Sequence, residues 1–565
     1  MSRSQAQPPD LLLVNGTVLT VDEADTIAEA LAIRAGRIVA VGTTSEISRL
    51  AGPRTGVIDL DGRTATPGLI DTHLHVSPPS DQLDLSDPDI RTIADLQARL
   101  KEEVAKHPPG EWVRGRGWDE GKLAERRFLR ASDLDAVSPA NPVWLTHTTG
   151  HYGVGNSLAL KLAGVTRDTP DPPAGTIERD AAGNPTGLMK ESATGLVTRA
   201  IGGEGRGRGR GGAGGGLAAA LAGFNREGLT AVKDPGVSAA RFEQYRQMLE
   251  AGTLTVRVFA LWRGGRTVES VDQTIRQMNG YPRLPQTIGD GILTSGGVKL
   301  YIDGSGGART GWMHDDWNLD STGVEAGNKG YPTTDPDVYR EQIRRLHEAG
   351  IHVGTHAVGD RGMDVVVDAY ADALRARPTR GLRHSIIHAN LPTSHAIETM
   401  AMLQKTYDAG YPELQPPFMW WIGDTYAGNY GPARSRRLLP LRTFAEQGIL
   451  WAGGSDYSVT PYAARYGLWS SVARKTLRGT YGETAFGLDE AVDVRTALRS
   501  YTIWAARQLF LEDRIGSLEV GKEADIAVWD RDLYTIPAEE IRDLRCEMTV
   551  FAGRVVHQAG AGSAP

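Results

Sequence analysis

The sequence is short of cysteine, of long apolar runs and of excess positive charge. Cys546 is its single cysteine in 565 residues, which excludes an internal disulfide and a thiolate metal cluster. No apolar run approaches the roughly 20 residues that span a bilayer. The first ten residues, MSRSQAQPPD, lack the basic start and apolar core of a signal peptide. We therefore expect a protein of the reducing cytoplasm without a membrane segment.

Charge and composition indicate an ordinary globular protein. A net charge of -7 and a pI near 6.0 argue against electrostatic binding of nucleic acid. With 40% hydrophobic and 23% charged residues, the chain can build a large core and at least one further domain. We expect neither a nucleic-acid partner nor a membrane partner.

Both ends of the chain carry short strands separated by turns. From Leu11 to Ile58, β-branched runs such as LLLVNGTVLTV and ALAIRAGRIVAVG alternate with turn residues, which predicts a small antiparallel sheet. Similar runs return in GSLEVGKEADIAVWD and MTVFAGRVVHQAG near the other end. Because neither piece has enough strands to bury a core, we predict one composite β-sandwich domain from residues 1–65 and 515–565.

The middle of the chain alternates short apolar strands with longer helical stretches, which is typical of an α/β fold. Eight candidate strands lie at 66–76, 228–236, 254–262, 297–304, 350–360, 383–390, 413–421 and 448–458. Eight such units favour a (β/α)8 barrel over residues 66–514, with its chemistry at the carboxyl ends of the strands. Residues 77–215 are too long for one connection, so we predict an insertion after barrel strand 1 that caps the barrel mouth.

Residues 202–216, GGEGRGRGRGGAGGG, are of low complexity and cannot hold a packed core. They predict a flexible loop whose shortening changes stability little, because the entropy of loop closure varies slowly with length. An RNA-binding Arg–Gly tract is the alternative. The acidic charge of the whole chain makes that alternative the weaker one.

Histidines and one aspartate follow the predicted strands where each strand ends. His73 and His75 are separated by one residue after strand 1, and the period of two of a strand points both imidazoles into the mouth. His356, His388 and Asp456 end strands 5, 6 and 8. Any one of these residues could be an ordinary hydrogen-bonded side chain. Together, four histidines and a carboxylate at strand ends predict a metal site.

Lysine and histidine also occur inside the predicted strands. Lys299 lies in the middle of the apolar strand GGVKLYIDG. Burying an ammonium is costly unless a partner or a pKa shift compensates, so this segment alone favours an edge strand with Lys299 facing water. His352 and His384 each lie four residues before a predicted ligand, and we expect them to be structural or to support the ligands.

Five motifs together resemble the amidohydrolase superfamily, and in particular amidohydrolase family 3, which contains N-substituted formamide deformylases: PGLIDTHLH, VKLYIDGSGGART, THAVGD, IIHAN and GGSDYSV. They occur in the family's order, and the resemblance covers nearly the whole chain. It implies a (β/α)8 barrel beside a composite β-sandwich, a small amide substrate and a homodimer. It also implies one or two divalent ions, zinc first, although histidine and carboxylate ligands accept manganese, iron, cobalt or nickel.

The resemblance also implies a role for Lys299. In many relatives a lysine at the end of the fourth strand reacts with carbon dioxide, and the carbamate bridges two ions. By this resemblance, His73 and His75 hold the first ion with Asp456 close by, and His356 and His388 hold the second. Carboxylated Lys299 bridges the two ions. A metal-activated hydroxide would attack the amide, and Asp456 would move a proton to the leaving nitrogen. The alternative is a single ion, with Lys299 remaining an amine.

Candidate substrate contacts surround the predicted mouth. Tyr301 and Asp303 follow Lys299 along its strand, and Trp420 belongs to an aromatic group near the mouth. Aromatic side chains in the pocket would favour an aryl or alkyl substituent on the amide nitrogen. His151 and Glu191 match positions that recur in the family's insertion. They could orient substrate, or they could be structural.

Amide hydrolysis is preferred over other functions of the same fold. A deaminase of the superfamily usually carries a glutamate acid/base close to the fifth-strand histidine, and THAVGD has none. A cyclic-amide hydrolase is a further alternative, with the same kinds of ligand. A non-catalytic scaffold that has lost its metals is disfavoured because the ligand set is intact.

Overall fold

The computed structural model describes residues 7–560 except 79, 204–212, 283, 285 and 322–325. Most of the Gly/Arg tract, and with it the prediction for its shortening, lies outside the described residues. Within the described part of the chain, no helix is both long enough and apolar enough to cross a bilayer.

Eight parallel strands form one sheet in chain order. Barrel strands 1 to 8 are Leu69–Asp71, Leu229–Val237, Arg257–Arg263, Leu293–Tyr301, Val353–Ala357, Ser385–His388, Tyr411–Leu414 and Ala452–Gly453. The N–H of Thr72 donates to the carbonyl of Gly453 at 3.1 Å, which links the two ends of the sheet. The predicted (β/α)8 barrel is confirmed as a nearly closed one. Its strands are buried on both faces, which explains their continuous apolar runs.

Helices cover the barrel and connect its strands. Several begin on a side chain that accepts a backbone N–H, such as Ser238, Thr267, Asp335 and Thr393. The helices after residue 212 are Ala213–Arg226, Ala239–Glu250, Val268–Met278, Pro336–Glu348, Asp360–Ala376, Ser394–Tyr407, Pro417–Trp421, Gly423–Tyr430, Pro432–Ser435, Leu441–Glu446, Ala464–Ala473, Val494–Ser500 and Ile503–Gln508.

Six of the eight barrel strands end earlier than the sequence predicted, and the differences are largest at barrel strands 1, 7 and 8. Barrel strand 1 was expected to reach residue 76 but ends at Asp71, because the Asp71 carboxylate takes up nearby backbone N–H groups in place of the strand ladder. Barrel strand 7 was expected to reach residue 421 but ends at Leu414. Pro416 and Pro417 cannot donate to a ladder, and the helix Pro417–Trp421 begins there.

Strands from both ends of the chain form two further sheets that share one core. The four-stranded sheet runs Arg37–Gly42, Ala30–Arg34, Leu11–Val14 and Gly56–Asp59; the six-stranded sheet runs Arg554–Gln558, Cys546–Phe551, Ile526–Trp529, Thr64–Pro67, Thr17–Leu19 and Ile27–Ala28. The predicted sandwich is therefore present. The prediction that its amino-terminal strands are all antiparallel is wrong, because Leu11–Val14 pairs in parallel with Gly56–Asp59.

The segment after barrel strand 1 folds as a separate layer with cores of its own. Its sheet runs Gly175–Arg179, Pro185–Glu191, Tyr152–Gly155, Val143–His147, Val113–Trp118 and Leu83–Asp84. Its helices are Ile93–Val104, Ala131–Asp135, Ser157–Leu162 and Thr194–Gly203. We call this layer the insertion.

Candidate metal centre

The five predicted histidine and aspartate ligands converge beyond the carboxyl ends of the barrel strands. The Nε2 atoms of His73 and His75 lie 3.6 and 3.3 Å from Asp456 Oδ1. The imidazole rings of His356 and His388 have centroids 4.5 Å apart. The rings of His73 and His388, 5.3 Å apart, connect the two groups. The structure thus brings residues from four separate strand ends into one cluster.

Local hydrogen bonds and backbone conformation place these side chains. The Asp71 carboxylate accepts the N–H groups of His73 at 3.0 Å and Ser455 at 3.1 Å. This clamp ties the segment that carries the first two histidines to the segment that carries Asp456. Asp456 and His388 have φ of 53° and 76°, a left-handed conformation that is strained in residues other than glycine. Such strain clusters at functional sites.

Hydrogen bonds assign the free ring nitrogen of two histidines. His356 Nε2 lies 2.8 Å from the Gly304 carbonyl and must donate to it. His388 Nδ1 lies 2.6 Å from Gln415 Oε1, and the Gln415 amide is oriented by its own bond to the Glu413 carbonyl. The other nitrogen of each ring is then an unprotonated acceptor. Burial lowers the pKa of both histidines well below the ordinary value, so they are neutral, as metal ligands must be.

Two buried polar atoms at the centre have no hydrogen-bond partner among the described residues. They are His73 Nδ1 and Glu413 Oε2, and they lie 3.9 Å apart. Burial also lowers the pKa of His73 well below the ordinary value. A cation bound to His73 Nε2 would leave a proton on Nδ1, directed at Glu413, which is the usual support of a metal-bound histidine. The donor set therefore fits a divalent ion.

A buried ion pair lies beneath this cluster. Lys233 Nζ donates to Glu413 Oε1 at 2.5 Å and to His352 Nε2 at 3.1 Å. His384 Nε2 lies 3.0 Å from Nδ1 of His347, in the helix Pro336–Glu348. His352 and His384 are therefore part of the structural framework. Lys233 and Glu413 are not among the residues predicted from the sequence. The signal for Lys233 was available, because it interrupts the apolar strand LTAVKDPG as Lys299 interrupts its own.

Lys299 faces the barrel interior and is only 1% exposed. The alternative of an edge strand is wrong, because barrel strand 4 pairs on both sides. Burial lowers the pKa of Lys299 to about 7, although the carboxylates of Asp456 and Glu413 oppose the shift. In a large fraction of the molecules, Lys299 is then a neutral amine at neutral pH. Its Nζ lies 4.9 Å from the centroid of the Tyr301 ring.

The insertion contributes His151 and Glu191 to the same mouth. His151 Nδ1 lies 3.0 Å from both carboxylate oxygens of Glu191, and the Thr310 hydroxyl donates to Glu191 Oε1 at 2.6 Å. Burial opposes protonation of His151, but the Glu191 carboxylate outweighs it and the pKa is raised. The His151 and His356 rings have centroids 5.2 Å apart. Glu191 therefore orients His151 toward the predicted ligands.

The three other predicted substrate contacts lie in different surroundings. Tyr301 is beside the centre, with its ring centroid 5.2 Å from that of His356. The Asp303 carboxylate accepts three backbone N–H groups within 3.0 Å and so holds its own loop. Trp420 packs against Tyr466, with ring centroids 4.6 Å apart. Of the three, Tyr301 is the residue whose ring lies against a predicted ligand.

Two cavities lie near the cluster. The insertion cavity, about 350 Å³, lies between the insertion and the barrel and is bordered by Trp421, Tyr457 and Tyr462. The rim cavity, about 520 Å³, is bordered by His75 and Tyr301. Aromatic side chains thus line one cavity, as an aryl or alkyl substituent would need.

A second cluster of acids and a histidine lies within the insertion. His147 Nε2 is 3.3 Å from Glu120 Oε2 and 3.8 Å from Asp119 Oδ1. The backbone N–H of Thr149 donates to His147 Nδ1 at 3.1 Å, and the Thr149 hydroxyl lies 2.9 Å from the same nitrogen, while His147 Nε2 has no hydrogen-bond partner among the described residues. The Thr425 hydroxyl bonds Asp119. This cluster fastens the insertion to the helix Gly423–Tyr430.

Comparison with known proteins agrees with the fold. Residues 56–557 match the model of the amidohydrolase family. The chain is 31% identical to N-substituted formamide deformylase of Arthrobacter pascens, covering 97% of this chain and 98% of that protein. It is 29% identical to the putative amidohydrolase YtcJ of Bacillus subtilis, covering 96% and 98%. An uncharacterized metal-dependent hydrolase from Pyrococcus horikoshii has the same fold, with a TM-score of 0.67, 23% identity and coverage of 94% and 99%.

A barrel with histidines and a carboxylate at its strand ends defines the class of metal-dependent hydrolases. The chain belongs to the amidohydrolase family. It is an enzyme of that family, a hydrolase acting on carbon–nitrogen bonds other than peptide bonds.

Proposed function

We propose that the protein hydrolyses the amide bond of a small N-substituted amide, with N-substituted formamides as the first candidates. The observation that carries the proposal is the convergence of four histidines, Asp456 and the buried Lys299 at the carboxyl end of the barrel. The 31% identity to a formamide deformylase over nearly the whole chain supports this substrate class. The aromatic lining of the insertion cavity is consistent with an aryl or alkyl substituent.

His73, His75 and Asp456 would hold one divalent ion, and His356 and His388 a second, with zinc proposed first. Bound there, such ions polarise a carbonyl and lower the pKa of water.

Lys299 is the proposed bridge between the two positions. Its neutral Nζ attacks carbon dioxide, a nitrogen–carbon bond forms, and the nitrogen loses one proton to solvent. The product is an anionic carbamate in place of a buried amine. Burial that favours the neutral amine supports this step, since a protonated lysine has no lone pair to attack with.

Asp456 is the proposed proton carrier. Its Oδ1 takes up a proton from the attacking water and delivers it to the leaving nitrogen. His151, held by Glu191, lies at the same barrel mouth as Asp456 and would position the substrate amide. Tyr301 would close the pocket beside Lys299.

The test is a screen of N-substituted formamides, N-acyl amines and cyclic amides with metal-reconstituted enzyme, together with metal analysis of the purified protein. We expect bound metal and turnover of at least one N-substituted formamide. Exclusive turnover of cyclic amides would move the assignment to that class. A protein that binds no divalent ion would be a scaffold, and the proposal would fail. The cytoplasmic location and the dimer stay predictions.

A further inference from the structure

The rim cavity presents arginines beside the metal centre. Arg263 ends barrel strand 3 and pairs in register with Lys299 on barrel strand 4. Tyr301, two residues after Lys299, pairs with His356 on barrel strand 5. Side chains of residues paired across neighbouring strands, and of residues two apart on one strand, lie on the same face of a sheet. Arg263 therefore projects on the inner face of the barrel, at its rim.

Arg266 and Arg241 border the same cavity. Arg266 follows barrel strand 3, and both Arg263 and Arg266 lie near enough to Tyr301 to oppose the rise of its pKa, which burial causes first and Asp456 increases. One donor of the Arg241 guanidinium is already used, because its Nη1 donates to the Val76 carbonyl at 3.3 Å.

Among the described residues, no carboxylate pairs with Arg263 or Arg266. Within the described part of the chain, neither guanidinium has a carboxylate within 4.0 Å, and both side chains are exposed. Asp234 is the acidic residue of the cavity lining. Its oxygens accept the Tyr245 hydroxyl at 2.6 Å and the Val76 N–H at 3.4 Å. The cavity thus has more cations than anions in a chain whose net charge is -7.

We propose that the rim cavity is an anion subsite, and that the preferred amide carries a carboxylate on its nitrogen substituent. Arg263 and Arg266 would bind that carboxylate with charge-assisted hydrogen bonds. His75 and Tyr301 border both the cavity and the metal centre, so a substituent held there leaves its amide at the centre. This inference rests on the proposed function for its reaction, but the subsite can be tested through binding alone.

The test compares two probes of nearly equal shape, N-formylglycine and its neutral counterpart N-formylglycinamide. Binding is measured by calorimetry on the metal-loaded full chain carrying Asp456→Asn, in which turnover is suppressed. We expect N-formylglycine to bind at least tenfold more tightly. Arg263→Gln combined with Arg266→Gln should remove this preference and leave the affinity for N-formylglycinamide within about twofold.

Two variants control the result. Arg276→Gln removes an exposed arginine of the following helix, outside the cavity lining, and should leave the preference intact. Arg266→Gln alone changes only a loop residue and should still weaken N-formylglycine binding if the double variant folds poorly.

Equal binding of the two probes to the parent protein would overturn the subsite. A preference that persists in the double variant would overturn it too, since the carboxylate would then bind elsewhere, for example at the metal centre. Failure of the proposed function looks different. In that case the wild-type chain hydrolyses neither probe nor other formamides, while the binding preference and its loss in the double variant remain.

Discussion

At the scale of single residues, Asp456 should decide turnover more than metal binding. Asp456→Asn keeps the size of the side chain and one oxygen but removes the base, so the metals should stay. The kcat should fall by about 10² to 10⁴, or roughly 3 to 5 kcal/mol of barrier, because a positioned acid/base usually contributes that much. Metal content and steady-state kinetics on one preparation check this. A near-wild-type kcat with full metal content would assign the proton transfer to His151 or Glu191.

Lys299 should bind carbon dioxide in a pH-dependent way. The folded pKa is lowered from 10.5 to about 7, so the amine is protonated below that pH and becomes neutral as the pH rises through it. Carboxylation, seen as one added carbon dioxide by mass or by labelled-carbon NMR, should therefore increase from about pH 6 to about pH 8. The second metal should load over the same range.

The variant Lys299→Ala tests the bridging role of the same residue by removing its amine. We expect it to lose the second metal, and added bicarbonate should not restore it. A short carboxylic acid could restore it by supplying the missing anion. Full occupancy by two metals in Lys299→Ala, without such an acid and without bicarbonate, would contradict the bridging role.

At the scale of elements, the Lys233–Glu413 pair joins barrel strands 2 and 7. Both side chains are fully buried. Lys233→Met leaves the Glu413 charge without its partner, which should lower the free energy of unfolding by about 3 to 5 kcal/mol. Urea unfolding of the metal-loaded protein measures this change.

The double variant Lys233→Met with Glu413→Gln distinguishes the cost of an unpaired charge from the cost of lost packing. It removes both charges, so most of the lost stability should return, and the support of His73 should be weaker. Arg344→Met, which breaks an exposed ion pair with Glu341, is the control and should change little. Equal losses in the single and double variants would show that packing, rather than the unpaired charge, is responsible.

At the scale of the whole molecule, Arg257 couples the barrel to the sandwich. It begins barrel strand 3, and its Nε donates to Asp525 Oδ2 at 2.7 Å, with a further bond to Glu523. Arg257→Met leaves Asp525 buried without its cation and should cost about 3 kcal/mol or more. Because Arg257 lies at the opposite end of its strand from Arg263, kcat per folded molecule should not change. Denaturation and active-site-normalised kinetics test both points.

Arg257→Lys keeps the charge but not the fork of donors that reaches two carboxylates. We expect its stability to fall between wild type and Arg257→Met. A large drop in kcat in either variant would show that the sandwich influences the metal centre through the barrel.

The barrel and the composite sandwich could be predicted from the sequence because their signals are local. Apolar runs of strand length, the turns between them and the helical stretches recur often enough to count barrel units. The family could be recognised because its motifs are short segments in a set order. His73, His75, His356, His388 and Asp456 could be proposed together because each follows such a segment.

The remaining features depend on contacts between distant parts of the chain. Lys233 and Glu413 are 180 residues apart, and Glu191 meets Thr310 across 119 residues. No local pattern encodes such pairs. The ends of barrel strands 1 and 7 were missed because an Asp71 clamp and a pair of prolines outweigh strand propensity there. The lack of a carboxylate partner for Arg263 and Arg266 among the described residues likewise became visible only when the barrel placed them beside Tyr301, since folding alone decides which charges meet a partner.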